Sequence, residues 1–120
     1  MHQPLVSVVM AAYNAECFVS DAIHSILDQS FEDYEFIVID DGSTDSTVEI
    51  IEKINDSRII FLRNKTNVGL TKCLNQALLE SVGTLIARQD ADDVSLPDRL
   101  QKQVRRFEEQ SDLVLKILNI

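Results

Sequence analysis

The segment Arg88-Gln89-Asp90-Ala91-Asp92-Asp93 places three carboxylates within four residues. Charges this close repel, so the arrangement needs either a counter-charge or full solvation. In an extended segment, residues i and i+2 project to the same side, so Asp90 and Asp92 can face one point. Two hard oxygen donors at that spacing suit Mg2+ or Mn2+, which keep open positions for water and phosphate oxygens. A cation would also let a chain with 20 acidic and 11 basic residues, net charge −9, hold a diphosphate. Acidic tripeptides also arise by chance in solvated loops, and spacing alone leaves both readings open.

Two other polar clusters follow apolar runs. Asp40-Asp41-Gly42-Ser43-Thr44-Asp45 is dense in turn and N-cap residues. Its Asp41 could hydrogen-bond a nucleobase or ribose, or could serve only the local turn; Ser43, Thr44 and Asp45 read as caps of the next helix. Tyr13-Asn14 follows LVSVVMAA, where an aromatic ring could stack on a base beside the small Ala11, Ala12 and Ala15. Glu16 could bind a ribose or cap a helix. No GxGxxG or GxxxxGK[ST] is present, so the glycines that cradle phosphates in dinucleotide and P-loop sites are missing. His2 and His24, the two histidines, are not placed to act as a general base.

The elements that must carry these clusters alternate regularly. Strands are expected at 5–10, 34–39, 58–62 and 84–87, as short apolar runs. Helical spacing marks Val19, Ala22, Ile23, Ile26 and Leu27 within about 16–29, and Val48, Ile51 and Ile54, opened by a Ser46–Glu49 capping box. It recurs at Leu70, Cys73, Leu74, Ala77 and Leu78, with Gly83 as a C-terminal cap, and from Pro97 to about Gln110. A fifth strand is expected within 113–118. The pattern predicts a Rossmann-like, three-layer α/β/α domain with a mostly parallel sheet and right-handed crossovers. All three polar clusters then fall at the carboxyl ends of strands, where ligands bind in open α/β sheets.

Composition bounds the alternatives. A chain of 120 residues with 45% hydrophobic content has enough apolar surface for one core, which argues against disorder. The acidic balance argues against nucleic acid as a partner. Cys17 and Cys73 lack a CxxC spacing and read as small buried thiols of a reducing, cytoplasmic setting. No signal peptide is visible, and no apolar run is long enough to span a bilayer.

Together, PLVSVVMAAYNAE, YEFIVIDDGSTDST, NVGLTKCLNQAL and ARQDADDVSLPDRLQKQV resemble the nucleotide-sugar-binding portion of family-2 glycosyltransferases with the GT-A fold, from about Pro4 to Phe107. The resemblance implies metal-assisted transfer of a sugar, with inversion, from a nucleotide-diphosphate donor, most often a UDP-sugar. Ala12, Tyr13 and Asn14 would line the base and ribose pocket with Glu16 nearby, and Asp41 would contact the base. Lys72 would approach the donor. Asp90 and Ala91 would touch the donor, and Asp92 would be the principal ligand of Mg2+ or Mn2+, while Asp90 would bind the ribose or join the metal through water. Arg88 and Asp93 would organise the loop, and Arg99 would pair with one of its carboxylates. The acceptor would be a saccharide or a lipid-linked saccharide, and the full-length protein could associate peripherally with membranes.

The general base of such enzymes comes from a later part of the fold, expected beyond Ile120. The chain is therefore expected to be the donor-binding part of a longer protein, with no catalytic residue of its own. Two alternatives stand beside this reading. One is a nucleotide-binding module without catalysis. The other is a haloacid-dehalogenase-type phosphotransferase, with DADDV as nucleophile motif and Asp90 phosphorylated.

Overall fold

The computed structural model describes residues 3–109 and 117–118. Five strands form one parallel sheet: β1 (Val6–Ala12), β2 (Tyr34–Asp41), β3 (Ile59–Asn64), β4 (Leu85–Arg88) and β5 (Ile117–Leu118), ordered β3-β2-β1-β4-β5. The helices are α1 (Val19–Leu27), α2 (Thr47–Glu52), α3 (Leu70–Glu80) and α4 (Arg99–Glu109). Of the fifth strand expected within 113–118, residues 113–116 lie outside the described residues, as does the expected helix end at Gln110.

Side-chain parity splits the core into two layers. Val6, Val8, Met10, Phe36, Val38, Leu85 and Ala87 meet Val19, Ala22, Ile23 and Ile26 of α1, Ile51 of α2 and Leu100 and Val104 of α4. Val9, Ile37, Ile39 and Ile86 face the other way, onto Cys73 and Ala77 of α3. β1 and β2 are covered on both sides, which is why they read as unbroken apolar runs. No helix among the described residues is long and apolar enough to cross a membrane.

Several boundaries differ from the sequence reading. The first helix begins at Val19, because residues 16–18 form a turn in which the N–H groups of Phe18 and Val19 both reach the Ala15 carbonyl. Cys17 lies in that turn and is exposed, so only Cys73 is a buried thiol. Strands β1, β2 and β3 each run two residues further than expected, carrying Asp41 into the sheet.

Gly83 is not a helix cap. Helix α3 ends at Glu80 with the extended Ser81 as its C-cap. A Cβ at Gly83 would fall 2.6 Å from the Ser7 backbone nitrogen. This close approach seats the α3–β4 turn on a buried polar pair: Gly83 N–H donates to Ser7 Oγ at 2.8 Å, Ser7 Oγ–H donates to Glu35 Oε2 at 2.5 Å, and Val82 N–H donates to the same Glu35 oxygen at 2.7 Å. Gly83→Ala is expected to cost about 1–3 kcal/mol through overpacking against backbone. Urea unfolding measures this, and an unchanged midpoint would refute the packing argument.

Candidate functional site

The sheet reverses its order of connection between β1 and β4, and the crevice outside such a switch point is where open α/β sheets bind ligands. Here the β1 loop and the β4 loop line one cavity of about 340 Å³, bounded by Ala11, Tyr13, Asn14, Ala15, Phe18, Asp90, Ala91 and Asp92. A neighbouring cavity of about 250 Å³ is lined by Ala11, Ala12, Tyr13, Asp41, Asn67, Gly69 and Leu70. Ala11 and Tyr13 border both, and the Tyr13 ring is half-exposed between them. The structure thus gathers Ala12, Tyr13, Asn14, Asp41, Asp90, Ala91 and Asp92 around two adjoining hollows. Lys72 is exposed on α3 and lines neither.

The loops that form these walls are tied to one another. Asn14 sits at φ 47°, a left-handed conformation that Asn tolerates better than most residues. Its N–H donates to Ser43 Oγ at 2.9 Å and its Oδ1 accepts from Thr44 N–H at 2.8 Å. Ala15 N–H donates to Thr47 Oγ1 at 2.8 Å. Glu16 N–H donates to Asp45 Oδ2 at 3.3 Å, and Glu16 Oε2 accepts from Ser46 N–H at 3.0 Å. The capping box expected from Ser46 and Glu49 is not made: the Ser46 side chain caps nothing, and Glu16 reaches its N–H from another loop. Of the three residues expected to cap the next helix, Asp45 does so, accepting from Thr47 N–H at 2.9 Å. Ser43 and Thr44 bond Asn14 instead, and Asp40 accepts from Ser43 N–H at 2.9 Å within the turn.

Asp41 ties the second loop to the third. Buried at 3% exposure, its Oδ1 accepts from Val68 N–H at 2.9 Å and Asn64 Nδ2 at 3.1 Å, and its Oδ2 from Gly69 N–H at 2.9 Å. Gly69, at φ 100°, opens α3, so Asp41 caps that helix from a neighbouring strand. Burial raises the Asp41 carboxyl, but the Val68, Asn64 and Gly69 donors outweigh it and hold its pKa below the ordinary carboxylate value. Burial and the adjacent Asp41 push the Cys73 thiol up to about 11, leaving it a hydrogen-bonded core group, not a nucleophile. Gly42, at φ 77°, lets the third loop lie close: a Cβ there would be 2.7 Å from the Thr66 carbonyl carbon.

In the β4 loop, Asp90, Asp92 and Asp93 each present a carboxylate oxygen within 4.8 Å of the others. Three converging hard oxygens, with Asp92 and Asp93 open to solvent, are a donor set that fits Mg2+ or Mn2+ and leaves room for further oxygen ligands. Asp93, for which an organising role was expected, brings its carboxylate into the same group. Arg88 Nε donates to Asp90 Oδ1 at 3.1 Å. Arg99 was expected to pair with a carboxylate of this loop. It hydrogen-bonds the Arg88 carbonyl at 2.7 Å and Gln89 Oε1 and Ser95 Oγ at 3.3 Å, while the Asp90 and Asp93 charges offset the burial that lowers its pKa.

The sequence reading missed Asn67, Gly69 and Leu70, which line the second cavity, as well as Phe18 and Gln89. Phe18 lines the first cavity at 56% exposure, and its signal was a place off the buried stripe of α1. Gln89 is buried beneath the acidic loop, and nothing in RQDADD distinguishes an inward amide from a solvated one.

A family model described as Glycosyl transferase family 2 matches residues 7–117. The chain is 45% identical over 108 residues to the putative glycosyltransferase EpsE of Bacillus subtilis, covering 88% of this chain and 39% of that protein. It is 38% identical over 104 residues to WfaP of Escherichia coli, named a UDP-Glc:alpha-D-GlcNAc-diphosphoundecaprenol beta-1,3-glucosyltransferase, covering 87% of this chain and 41% of WfaP. Among solved structures, S. aureus TarS in complex with UDP-GlcNAc superimposes with a TM-score of 0.83 at 30% identity, over 88% of this chain and 32% of that one. The Pyrobaculum calidifontis mannosyltransferase PcManGT, in complex with GDP-Man and Mn2+, shares the fold with a TM-score of 0.77 at 24% identity. The chain thus spans about two fifths of the length of these curated relatives.

The Asp41 cap makes a prediction about acid stability. A carboxylate whose folded pKa is depressed adds stability that is complete above the unfolded value of about 3.9 and is lost as pH falls through the folded value. Asp41→Asn is expected to lose about 1.5–3 kcal/mol at neutral pH, from hydrogen bonds to a charged acceptor. Its deficit against the unaltered chain should shrink as pH drops below 4. Urea titrations at several pH values measure this, and a deficit independent of pH would refute the role of the charge.

Proposed function

The chain belongs to glycosyl transferase family 2, and from that premise we propose that it is the donor-binding part of a GT-A enzyme. That enzyme moves a sugar, with inversion and metal assistance, from a nucleotide diphosphate, a UDP-sugar in the simplest reading, to an acceptor hydroxyl. The observation that carries the proposal is the grouping of three carboxylates, two of which, Asp90 and Asp92, line a cavity together with Tyr13 and Asn14. The family match includes the DADDV segment itself, which speaks against its reading as a haloacid-dehalogenase nucleophile motif.

In this reading the two adjoining cavities hold one elongated ligand. The base lies towards Asp41, Ala12, Gly69 and Leu70, against the face of Tyr13. The diphosphate lies towards Asp90, Ala91 and Asp92, with Phe18 closing the same hollow. Asn14 and Glu16 shape the ribose side by holding the first loop against the second. Lys72, exposed on α3 and lining neither cavity, keeps its donor-approaching role in this reading from the family resemblance alone. Asp90 and Asp92, joined by Asp93, hold the divalent ion. When bound, Mg2+ or Mn2+ supplies positive charge to the departing diphosphate oxygens. Without it, a chain of net charge −9 would repel that group.

The general base that takes the acceptor proton belongs to the remainder of the longer protein, in keeping with the share of its relatives that this chain spans. The acceptor is a saccharide or lipid-linked saccharide, a reading supported by the name of WfaP. The full-length protein acts in the cytoplasm, with peripheral association at a membrane carrying such an acceptor.

Calorimetry of UDP binding tests the donor site. Binding is expected to require Mn2+ or Mg2+, and Asp92→Ala to weaken it by about tenfold or more, as loss of a charged ligand would. Binding indifferent to both the metal and the substitution would overturn the assignment, and a chain that binds UDP but supports no transfer in its full-length context would favour a non-catalytic module.

A further inference from the structure

Three carboxylates that repel one another stay within 4.8 Å only if the backbone beneath them is fixed. The fixing group is Gln89, 1% exposed between the end of β4 and the acidic loop. Its Nε2 donates to the Asp93 carbonyl at 2.7 Å and the Asp90 carbonyl at 3.2 Å, bracketing the turn that Asp93 N–H closes on the Asp90 carbonyl at 3.1 Å. Its Oε1 accepts from Ser95 Oγ at 2.5 Å and Arg99 Nη1 at 3.3 Å. The two ends of the amide are not interchangeable: two carbonyls require donors on one side, and two donors require an acceptor on the other.

We propose that Gln89 is the positioning residue of the cation site, holding the Asp90–Asp93 turn so that all three carboxylates meet at one point. The inference rests on the cation reading of that loop. Glutamate at this position would turn an acceptor towards the Asp90 and Asp93 carbonyls and add a fourth negative charge beneath the three. Methionine would keep the volume and leave both carbonyls without their donor.

Mn2+ titration of the chain, read from the electron paramagnetic resonance signal of free ion, tests the role without requiring turnover. Gln89→Glu and Gln89→Met are expected to weaken Mn2+ binding by about 10- to 100-fold, as loss of groups that orient metal ligands does. Gln29→Met is the control for general destabilisation. Gln29 is another buried amide, donating to the Leu96 carbonyl at 2.6 Å and accepting from Leu100 N–H at 3.0 Å, away from the acidic turn. Its loss should lower the urea midpoint and leave Mn2+ affinity unchanged. Should the Gln89 variants fail to fold, Ser95→Ala, which removes one donor to Gln89, decides by a smaller loss in the same direction. Gln89 variants that bind Mn2+ as tightly as the unaltered chain would overturn the inference, as would an equal loss in Gln29→Met. If the unaltered chain binds no Mn2+, the cation reading itself fails.

Discussion

Helix starts leave backbone N–H groups without intrahelical acceptors, and here those groups are taken by side chains from other segments. Glu16 takes the Ser46 N–H at the entry to α2, Asp41 takes the Gly69 N–H at the entry to α3, and Gln29 takes the Leu100 N–H at the entry to α4. Each cap joins elements far apart in sequence, and the first two lie among the loops at the carboxyl edge of the sheet. That edge is therefore a cross-linked rim, and its shape depends on the caps as much as on the strands beneath.

The caps also sort the acidic residues. Asp40, Asp41, Asp45 and Glu16 have backbone or hydroxyl donors and serve as internal acceptors. Asp90, Asp92 and Asp93 bring carboxylate oxygens within 4.8 Å of one another, and Arg88 pairs with Asp90. A chain of net charge −9 has many carboxylates, but this is the one group of its kind among the described residues.

Much of this was legible in the sequence, for a physical reason. Central strands buried on both faces must be apolar throughout, so LVSVVM and YEFIVI announce a parallel sheet, and the turn chemistry after them marks its carboxyl edge. Asp90 and Asp92 were candidates from their spacing in an extended segment, but the chain turns there, with Asp93 N–H closing on the Asp90 carbonyl, and it is this turn that groups the carboxylates. What could not be read were contacts between loops. Glu49 has capping-box spacing, yet Glu16, 30 residues from Ser46, makes the contact. Gly83 looked like a helix cap because it follows a helix, whereas its reason is the approach of Ser7 from 76 residues away. Gln89 is polar in a polar motif, and only the fold reveals that it points inward.

In the proposed site the β4 loop supplies the carboxylates that hold a divalent cation, and the β1 loop lines the same cavity at the switch point of the sheet. Paramagnetic line broadening by substoichiometric Mn2+, followed in the amide spectrum of the chain, tests it most directly. The account predicts selective loss of the resonances of Tyr13, Asn14 and Asp90 to Asp93, with those of Ser7 and Gly83 at the opposite edge retained. Broadening spread over the acidic surface, or centred on the Asp45 turn, would contradict it.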